Sequence, residues 1–373
     1  MGEEQAVRRR RGAALLQGLL LALLLYGFFV GLDLMGLSFK LFGKGLAEEL
    51  IARTGNPFVG LFIGILATTL VQSSSTTTSM TVGLVAAGAL TVEGAIPIIM
   101  GANIGTSVTN TLVALGHVTR PEEFRRAFAG ATVHDFFNWL SVLILFPLEL
   151  TTGYLSRTAM ALEGVLEGAG GMKLANPLKE IVRPTAEWIA GVLGESGWLT
   201  LIAGLGLLFL ALRFLVGVLR SVFTERAEQV LHRTLFRSSM AAVTAGILMT
   251  VMVQSSSITT SVMVPLVGAG MITLEQVFPF TIGANIGTTV TAMLAALATA
   301  DPSAVAVAFS HLLFNLSGAV MIYPVPAVRR IPLGLARGLG NLAFRNRALA
   351  ALYIVAAFYG LPILFLLLSR RMG

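Results

Sequence analysis

The sequence predicts an all-α integral membrane protein: two inverted-topology repeats, each with a re-entrant helical hairpin and a broken transmembrane helix, and then a C-terminal span. Three observations predict it. Hydrophobic residues make up 55% of the 373 and charged ones 12%, with a mean hydropathy of +0.82, against about 25% charged residues in soluble domains. Val71-Gln72-Ser73-Ser74-Ser75 returns as Val253-Gln254-Ser255-Ser256-Ser257, and Gly101-Ala102-Asn103-Ile104-Gly105-Thr106 returns as Gly283-Ala284-Asn285-Ile286-Gly287-Thr288. Both pairs keep one spacing (254 − 72 = 182 and 285 − 103 = 182), and 64–110 laid on 246–292 without a gap gives 28 identities in 47 positions. A hydroxyl-rich cluster duplicated inside an apolar chain points to a transporter whose halves share one polar site.

The elements follow in order. Five stretches are long enough to cross as ordinary helices, near 13–36, 128–148, 198–219, 305–325 and 349–368, since about 20 apolar residues span a bilayer. The run from Phe58 to Val71 is only 14 residues, which at about 1.5 Å per residue reaches past mid-bilayer but not across. We therefore read 58–90 as a re-entrant hairpin with serines at its tip, and 95–116 as a span broken at Gly101–Thr106; repeat two copies both as 240–272 and 277–299. His134-Asp135-Phe136-Phe137-Asn138 is matched by His311-Leu312-Leu313-Phe314-Asn315 at an offset of 177 (311 − 134 = 177). Each unit makes an odd number of crossings, which inverts the second copy.

Arginines set the orientation. Arg8–Arg11 place the N-terminus in the cytoplasm, and Arg120, Arg125, Arg126, Arg220, Arg226, Arg233, Arg237, Arg329, Arg330, Arg337, Arg345 and Arg347 then fall in inside loops. The expected organisation is a cytoplasmic N-terminus (1–12), repeat 1 (13–149), an external linker (150–197), repeat 2 (198–326), a basic cytoplasmic loop (327–348) and a final span with an external C-terminus (349–373). The apolar run after Arg11 has no small-residue cleavage site, so it reads as a first span and not as a signal peptide.

The polar residues define the chemistry. A backbone break in hydrocarbon is tolerated only where it lines a protein cavity or water. Half-helix N-termini suit an anion, and half-helix carbonyls with Gln, Asn, Ser and Thr oxygens suit a small hard cation. Ser73, Ser74, Ser75, Ser255, Ser256 and Ser257 offer hydroxyl donors to a tetrahedral oxyanion from both repeats. Gly105 and Gly287 let backbone approach closely. Thr77, Thr78, Thr259 and Thr260 follow the serines, while His134, Asn138, His311 and Asn315 are repeated supporting candidates; Asp135, with Leu312 at the equivalent position, is the one asymmetric acid near the core. Glu93 and Glu275 read as cap or turn residues at the hairpin foot. No Lys, Arg, Asp or Glu lies between Gly55 and Val92 or between Ser238 and Leu274. A multivalent anion there would meet no fixed cation, so co-bound mobile cations would have to neutralise it, which favours symport with Na⁺.

Other classes fit less well. Zero cysteines excludes disulfides, thiolate metal sites and cysteine nucleophiles. The net charge of +7 sits between apolar segments, with no aromatic-interleaved basic face for nucleic acid. An intramembrane serine hydrolase would need one nucleophile with a positioned base, and no Gly-x-Ser-x-Gly occurs. A channel builds its pore by oligomeric symmetry, whereas this chain carries its repeat internally. Serine- and threonine-rich helix packing remains the bland alternative.

With its paired Gln-Ser-Ser-Ser motifs, paired Gly-Ala-Asn-Ile-Gly-Thr segments and Phe124-Arg125-Arg126-Ala127-Phe128 leading to His134–Trp139, the chain resembles the type II sodium-dependent phosphate cotransporter family over roughly 13–368. The resemblance implies Na⁺-driven uptake of inorganic phosphate, with Na⁺ as coupling ion and no cofactor. By motif, Ser73, Ser74, Ser75, Ser255, Ser256 and Ser257 correspond to phosphate-contacting positions; Gln72, Gln254, Asn103, Thr106, Asn285 and Thr288 correspond to sodium-site or tip-supporting ones. Relative to vertebrate members the external loop is reduced to 149–197, and a further C-terminal span and tail are absent. The short cysteine-free form points to a prokaryotic plasma (inner) membrane and admits a homodimer. A carrier or exporter of another oxyanion on the same scaffold is the alternative within transport.

Overall fold

The computed structural model describes residues 2–42, 55–168, 176–212, 214, 218 and 238–372. Every regular element among them is helical. The first half comprises α1 (Gly2–Phe42), α2 (Pro57–Val71), α3 (Ser74–Ala86), α4 (Val92–Gly105), α5 (Ser107–Leu115), α6 (Pro121–Thr152), α7 (Tyr154–Gly168) and α8 (Asn176–Val192). The second comprises α9 (Gly197–Leu212), α10 (Ser239–Val253), α11 (Ser256–Ser261), α12 (Met263–Gly268), α13 (Leu274–Thr299), α14 (Pro302–Ile322), α15 (Pro326–Arg345), α16 (Arg347–Val355) and α17 (Leu361–Met372). A π-helical turn at Ala356–Gly360 joins α16 to α17.

Six described helical stretches are long and apolar enough to cross a membrane: Leu16–Phe42, Val92–Leu115, Pro121–Thr152, Leu274–Thr299, Pro302–Ile322 and Arg347–Ser369. The span expected at 198–219 is described only as the shorter helix α9, and Arg220, Arg226, Arg233 and Arg237 lie outside the described residues. Leu23, Leu143, Val320 and Leu364 are each more than half exposed, the surface a bilayer would cover. Inside, Phe124, Phe128, Phe137, Phe278, Phe280 and Phe314 are fully buried.

Glycine decides the central packing. Gly64 of α2 faces the carbonyl of Ile98 in α4, and Gly101 faces that of Leu61; a side-chain carbon at either would collide with backbone. In the second half Gly246 of α10 faces the carbonyl of Phe280 in α13, and Gly283 that of Val243. All four partners match at the 182-residue offset. Small residues at such a seam let helix backbones touch, which is how helices associate without a hydrophobic driving force between them.

This contact corrects the expected breaks. α13 runs unbroken through Gly283–Thr288, and in the first half the helix is interrupted only at Thr106, whose φ of −56° and ψ of −35° are still helical. The glycines serve the seam and not a chain break: a Cβ at Gly105 would lie 2.7 Å from the Ile65 carbonyl oxygen, and one at Gly287 2.8 Å from that of Ile247. Thr106 and Thr288 donate to the carbonyls of Ala102 and Ala284, at 2.9 and 3.1 Å, so their hydroxyls are satisfied within the helix. No half-helix end is offered to a ligand at either motif.

The region expected as a basic loop at 327–348 is also mostly helix. α15 packs along α6 through Leu333, Ala336 and Gly340, leaving Arg330, Arg337 and Arg345 exposed. The linker 150–197 likewise forms α7, packed on α14, and α8, packed on α1.

Gly101→Leu or Gly283→Leu should force α2 from α4 or α10 from α13, an overpacking cost of about 3 kcal/mol or more, seen as aggregation or a lowered melting temperature in detergent. Gly334→Ala, where no atom lies within 4 Å of the added carbon, should instead raise stability by about 0.5–1 kcal/mol in the same assay.

Candidate functional site

Each Gln-Ser-Ser-Ser segment is a sharp turn between two helices, and each residue has a different task in it. Gln72 and Gln254 stop the preceding helix in the left-handed region, at φ 55° in both. Ser73 and Ser255 then adopt extended backbone (φ −151° and −153°) and cap the next helix. Their hydroxyls accept from the amides of Thr76 and Ile258 at 3.2 and 3.3 Å, the usual work of a serine N-cap. Thr77 and Thr259 return a hydrogen bond to the carbonyls of Ser73 and Ser255 (3.2 and 2.9 Å), and Thr78 and Thr260 to those of Ser74 and Ser256 (2.8 Å each). The four threonines thus brace the two turns.

The two turns meet. Ser75 Oγ donates to the carbonyl of Gln254 at 3.2 Å. A cavity of about 650 Å³ opens between them, lined by Gln72, Ser73 and Ser75 from one hairpin and Gln254, Ser255 and Ser257 from the other. Thr76, Thr109, Ile258, apolar residues of α2 and α9, and Phe214 complete its wall. None of the described lining residues is charged. The serine side chains that line it are therefore neutral hydroxyls, and that of Ser75 is already engaged with the Gln254 carbonyl across the two turns. Gln254 is itself fixed: its amide donates to the Val251 carbonyl at 2.6 Å, and its oxygen accepts from Thr291 at 2.6 Å.

Several candidate residues stand elsewhere. Ser74 and Ser256, the middle serines, are buried but do not line the cavity. Asn103, Thr106, Asn285, Thr288, His134, Asn138, His311 and Asn315 also lie outside its wall. Part of this set forms a buried hydrogen-bonded net. His134 Nε2 pairs with Asn285 Oδ1 at 2.5 Å, Asn285 Nδ2 donates to Asn138 Oδ1 at 2.6 Å, and Asn138 Nδ2 donates to the Asn103 carbonyl at 2.7 Å. Asn110 extends it, lying 3.5 Å from His134 Nδ1 and accepting from Thr260 at 3.0 Å. The net ties α4, α5 and α6 to α11 and α13. His311 has no hydrogen-bond partner for either ring nitrogen, and Asn315 none for Oδ1.

Asp135 is completely buried, and one carboxylate oxygen accepts a hydrogen bond from Tyr353 of α16. Among the described residues no three His, Cys, Asp or Glu side chains cluster to hold a metal ion. Sequence reasoning missed Thr109, Asn110, Thr291 and Tyr353. Thr109 and Thr291 carried a usable signal, since they too match at the 182-residue offset; Asn110 is matched by Ala292 and gave none.

Tyr353→Phe should keep the ring packed on Phe128 and Phe358 while removing the donor to Asp135. An unsatisfied buried acceptor costs about 1–3 kcal/mol, so thermal unfolding in detergent should occur at lower temperature than in the parent protein.

Comparison with known proteins accords with this architecture. The chain is 37% identical over 434 aligned positions to sodium-dependent phosphate transport protein 2A of Ovis aries, covering 95% of this chain and 68% of that one. It is 35% identical over 436 positions to sodium-dependent phosphate transport protein 2B of Homo sapiens, covering 91% and 63% respectively. The chain thus spans about two thirds of the length of these relatives. No solved structure matches it significantly. The family model described as Na⁺/Pi-cotransporter matches residues 27–164 and 207–336, the two segments that carry both hairpins, and on that match and those identities the chain belongs to the Na⁺/Pi-cotransporter family.

Proposed function

We propose that this multi-pass membrane protein is a sodium-coupled symporter that imports inorganic phosphate by alternating access, with one phosphate site between the two Gln-Ser-Ser-Ser turns. It is a transporter and not an enzyme. The observation that carries the site is the cavity itself: two turns, 182 residues apart in sequence, supply hydroxyls to one space without a charged side chain among its described lining residues. Neutral donors of this kind bind a tetrahedral oxyanion by hydrogen bonds alone, and its charge must then be balanced by something that arrives with it. Na⁺ ions held by glutamine, serine and threonine oxygens and backbone carbonyls supply that balance, which couples the two fluxes.

The inverted repeat, the cytoplasmic N-terminus and the external C-terminus belong to the same reading. They are supported by the odd number of crossings read for each repeat and by the arginines of α15 and Arg120, Arg125 and Arg126 at the start of α6. Within the site, Ser75 and Ser257 take the substrate role in preference to Ser74 and Ser256, because they line the cavity. Ser73 and Ser255 act as caps that present the turn. The plasma membrane is the expected location.

Phosphate uptake into proteoliposomes should require a Na⁺ gradient and vanish when choline replaces Na⁺. Equal uptake driven by protons in Na⁺-free buffer would overturn the coupling. Ser75→Ala and Ser257→Ala should each weaken phosphate binding; a lost hydrogen bond to a charged group is worth about 1.5–3 kcal/mol, roughly 10- to 150-fold in affinity. If the serines of one repeat proved dispensable, the shared site would give way to a one-sided pocket.

A further inference from the structure

The two halves are related in sequence, and the bonds within each turn and helix match (Thr77 with Thr259, Thr78 with Thr260, Thr106 with Thr288), yet the contacts of the buried net and of the two glutamines do not. At four pairs of equivalent positions one bond is made and its counterpart is missing. His134 pairs with Asn285 (2.5 Å), but His311, its repeat equivalent, leaves both ring nitrogens unpartnered. Asn285 donates to Asn138 Oδ1 (2.6 Å), but Asn315 Oδ1 has no partner, and Asn103 turns its amide to the Ile99 carbonyl of its own helix (3.0 Å). Asn138 donates across to the Asn103 carbonyl (2.7 Å), while Asn315 donates to the His311 carbonyl one turn back (3.1 Å). Thr291 donates to Gln254 (2.6 Å), while the hydroxyl of Thr109, the equivalent of Thr291, is buried without a partner, though Thr109 and Gln72 line the same cavity.

Orphaned groups this deep are costly. His311 is wholly buried and Asn315 is 2% exposed, and each unsatisfied buried polar atom costs about 1–3 kcal/mol. An imidazole leaves both a donor and an acceptor open here, so a bare cation would satisfy only one of them. A primary amide satisfies both kinds of need. Asn103 stands where Asn285 stands in the other half, and α14 already packs against α4.

We infer that the molecule has a second state in which the repeats exchange conformations, so that His311 and Asn315 pair with Asn103, and Thr109 with Gln72, while the His134–Asn285–Asn138 set opens. His134 and His311 are then positioning residues for the transport cycle, each holding one of two states through an asparagine of the opposite repeat. This inference rests on the alternating-access reading above. Exchange of this kind is what bistable packed elements permit, and a population shifts only by the difference in bonding between the two states. Asn110 biases the balance permanently, because its bond to Thr260 has no possible counterpart at Ala292.

The absence of cysteine gives a direct readout. Phe209 of α9 lines the cavity in the observed state. Each repeat opens with a span, α1 or α9, and no described residue of α1 lines the cavity, so exchanging the repeats withdraws α9 from the cavity wall and shields Phe209. Phe209→Cys should be labelled by a polar thiol reagent in proteoliposomes free of Na⁺ and phosphate. Adding His134→Ala should slow labelling roughly fivefold or more, as the loss of one or two hydrogen bonds held by a single state requires. Asn110→Ala, which installs the residue already packed at the equivalent position 292, should slow it in the same direction by a smaller factor. His311→Ala should leave labelling as fast as before or faster. Unchanged labelling with Asn110→Ala, or slowed labelling with His311→Ala, overturns the exchange, and Asn110→Ala decides the matter if His134→Ala does not fold. Because the assay contains neither transported ion, its failure is separate from a failure of Na⁺-dependent uptake.

Discussion

Backbone against backbone is the contact on which the site depends. A hairpin that turns on polar residues deep among apolar helices needs a rigid wall beside it, or its unpaired groups would be left in hydrocarbon. α2 and α10 obtain that wall by lying on α4 and α13 with only glycine between them, Gly64 with Gly101 and Gly246 with Gly283. The turn at each tip is thereby fixed in depth, and the two tips arrive close enough for Ser75 to reach the Gln254 carbonyl. The hydroxyls around them are satisfied mostly by carbonyls of their own helices, which leaves few groups free to bind anything else.

Much of this was legible in the sequence, and the part that was not has a physical cause. The hairpin reading of each Gln-Ser-Ser-Ser segment followed from apolar runs too short to cross, and the structure has its turns at Gln72–Ser73 and Gln254–Ser255. The Gly-Ala-Asn-Ile-Gly-Thr segments misled, because glycine serves close packing and chain breaks equally well and a linear sequence does not distinguish them. Only the position of Leu61 and Val243 across the seam decides it. The middle serines stand apart from the cavity for a similar reason. A run of three hydroxyls reads as one cluster, but the first turn of a helix points successive residues in different directions, so Ser75 lines the cavity and Ser74 does not.

The buried net shows a limit of another kind. His134, Asn138 and Asn285 were singled out because they are repeated, and they do meet. Repetition alone gave no reason to expect that His311 and Asn315 would stand unpaired. Sequence symmetry constrains which contacts are available, while the conformation selects which of them are made.

The glutamines at the two tips carry a consequence for how such a protein tolerates change. A non-glycine residue at φ 55° holds its backbone against a steric penalty of about 1–2 kcal/mol, so Gln72 and Gln254 are the residues a search for thermostability would replace by glycine. Such variants gain backbone comfort and lose the amide that meets Thr291 or faces the cavity. Selection for robustness and selection for work therefore pull in opposite directions at the same two residues, and a hardened version of this fold is expected to be a poorer machine.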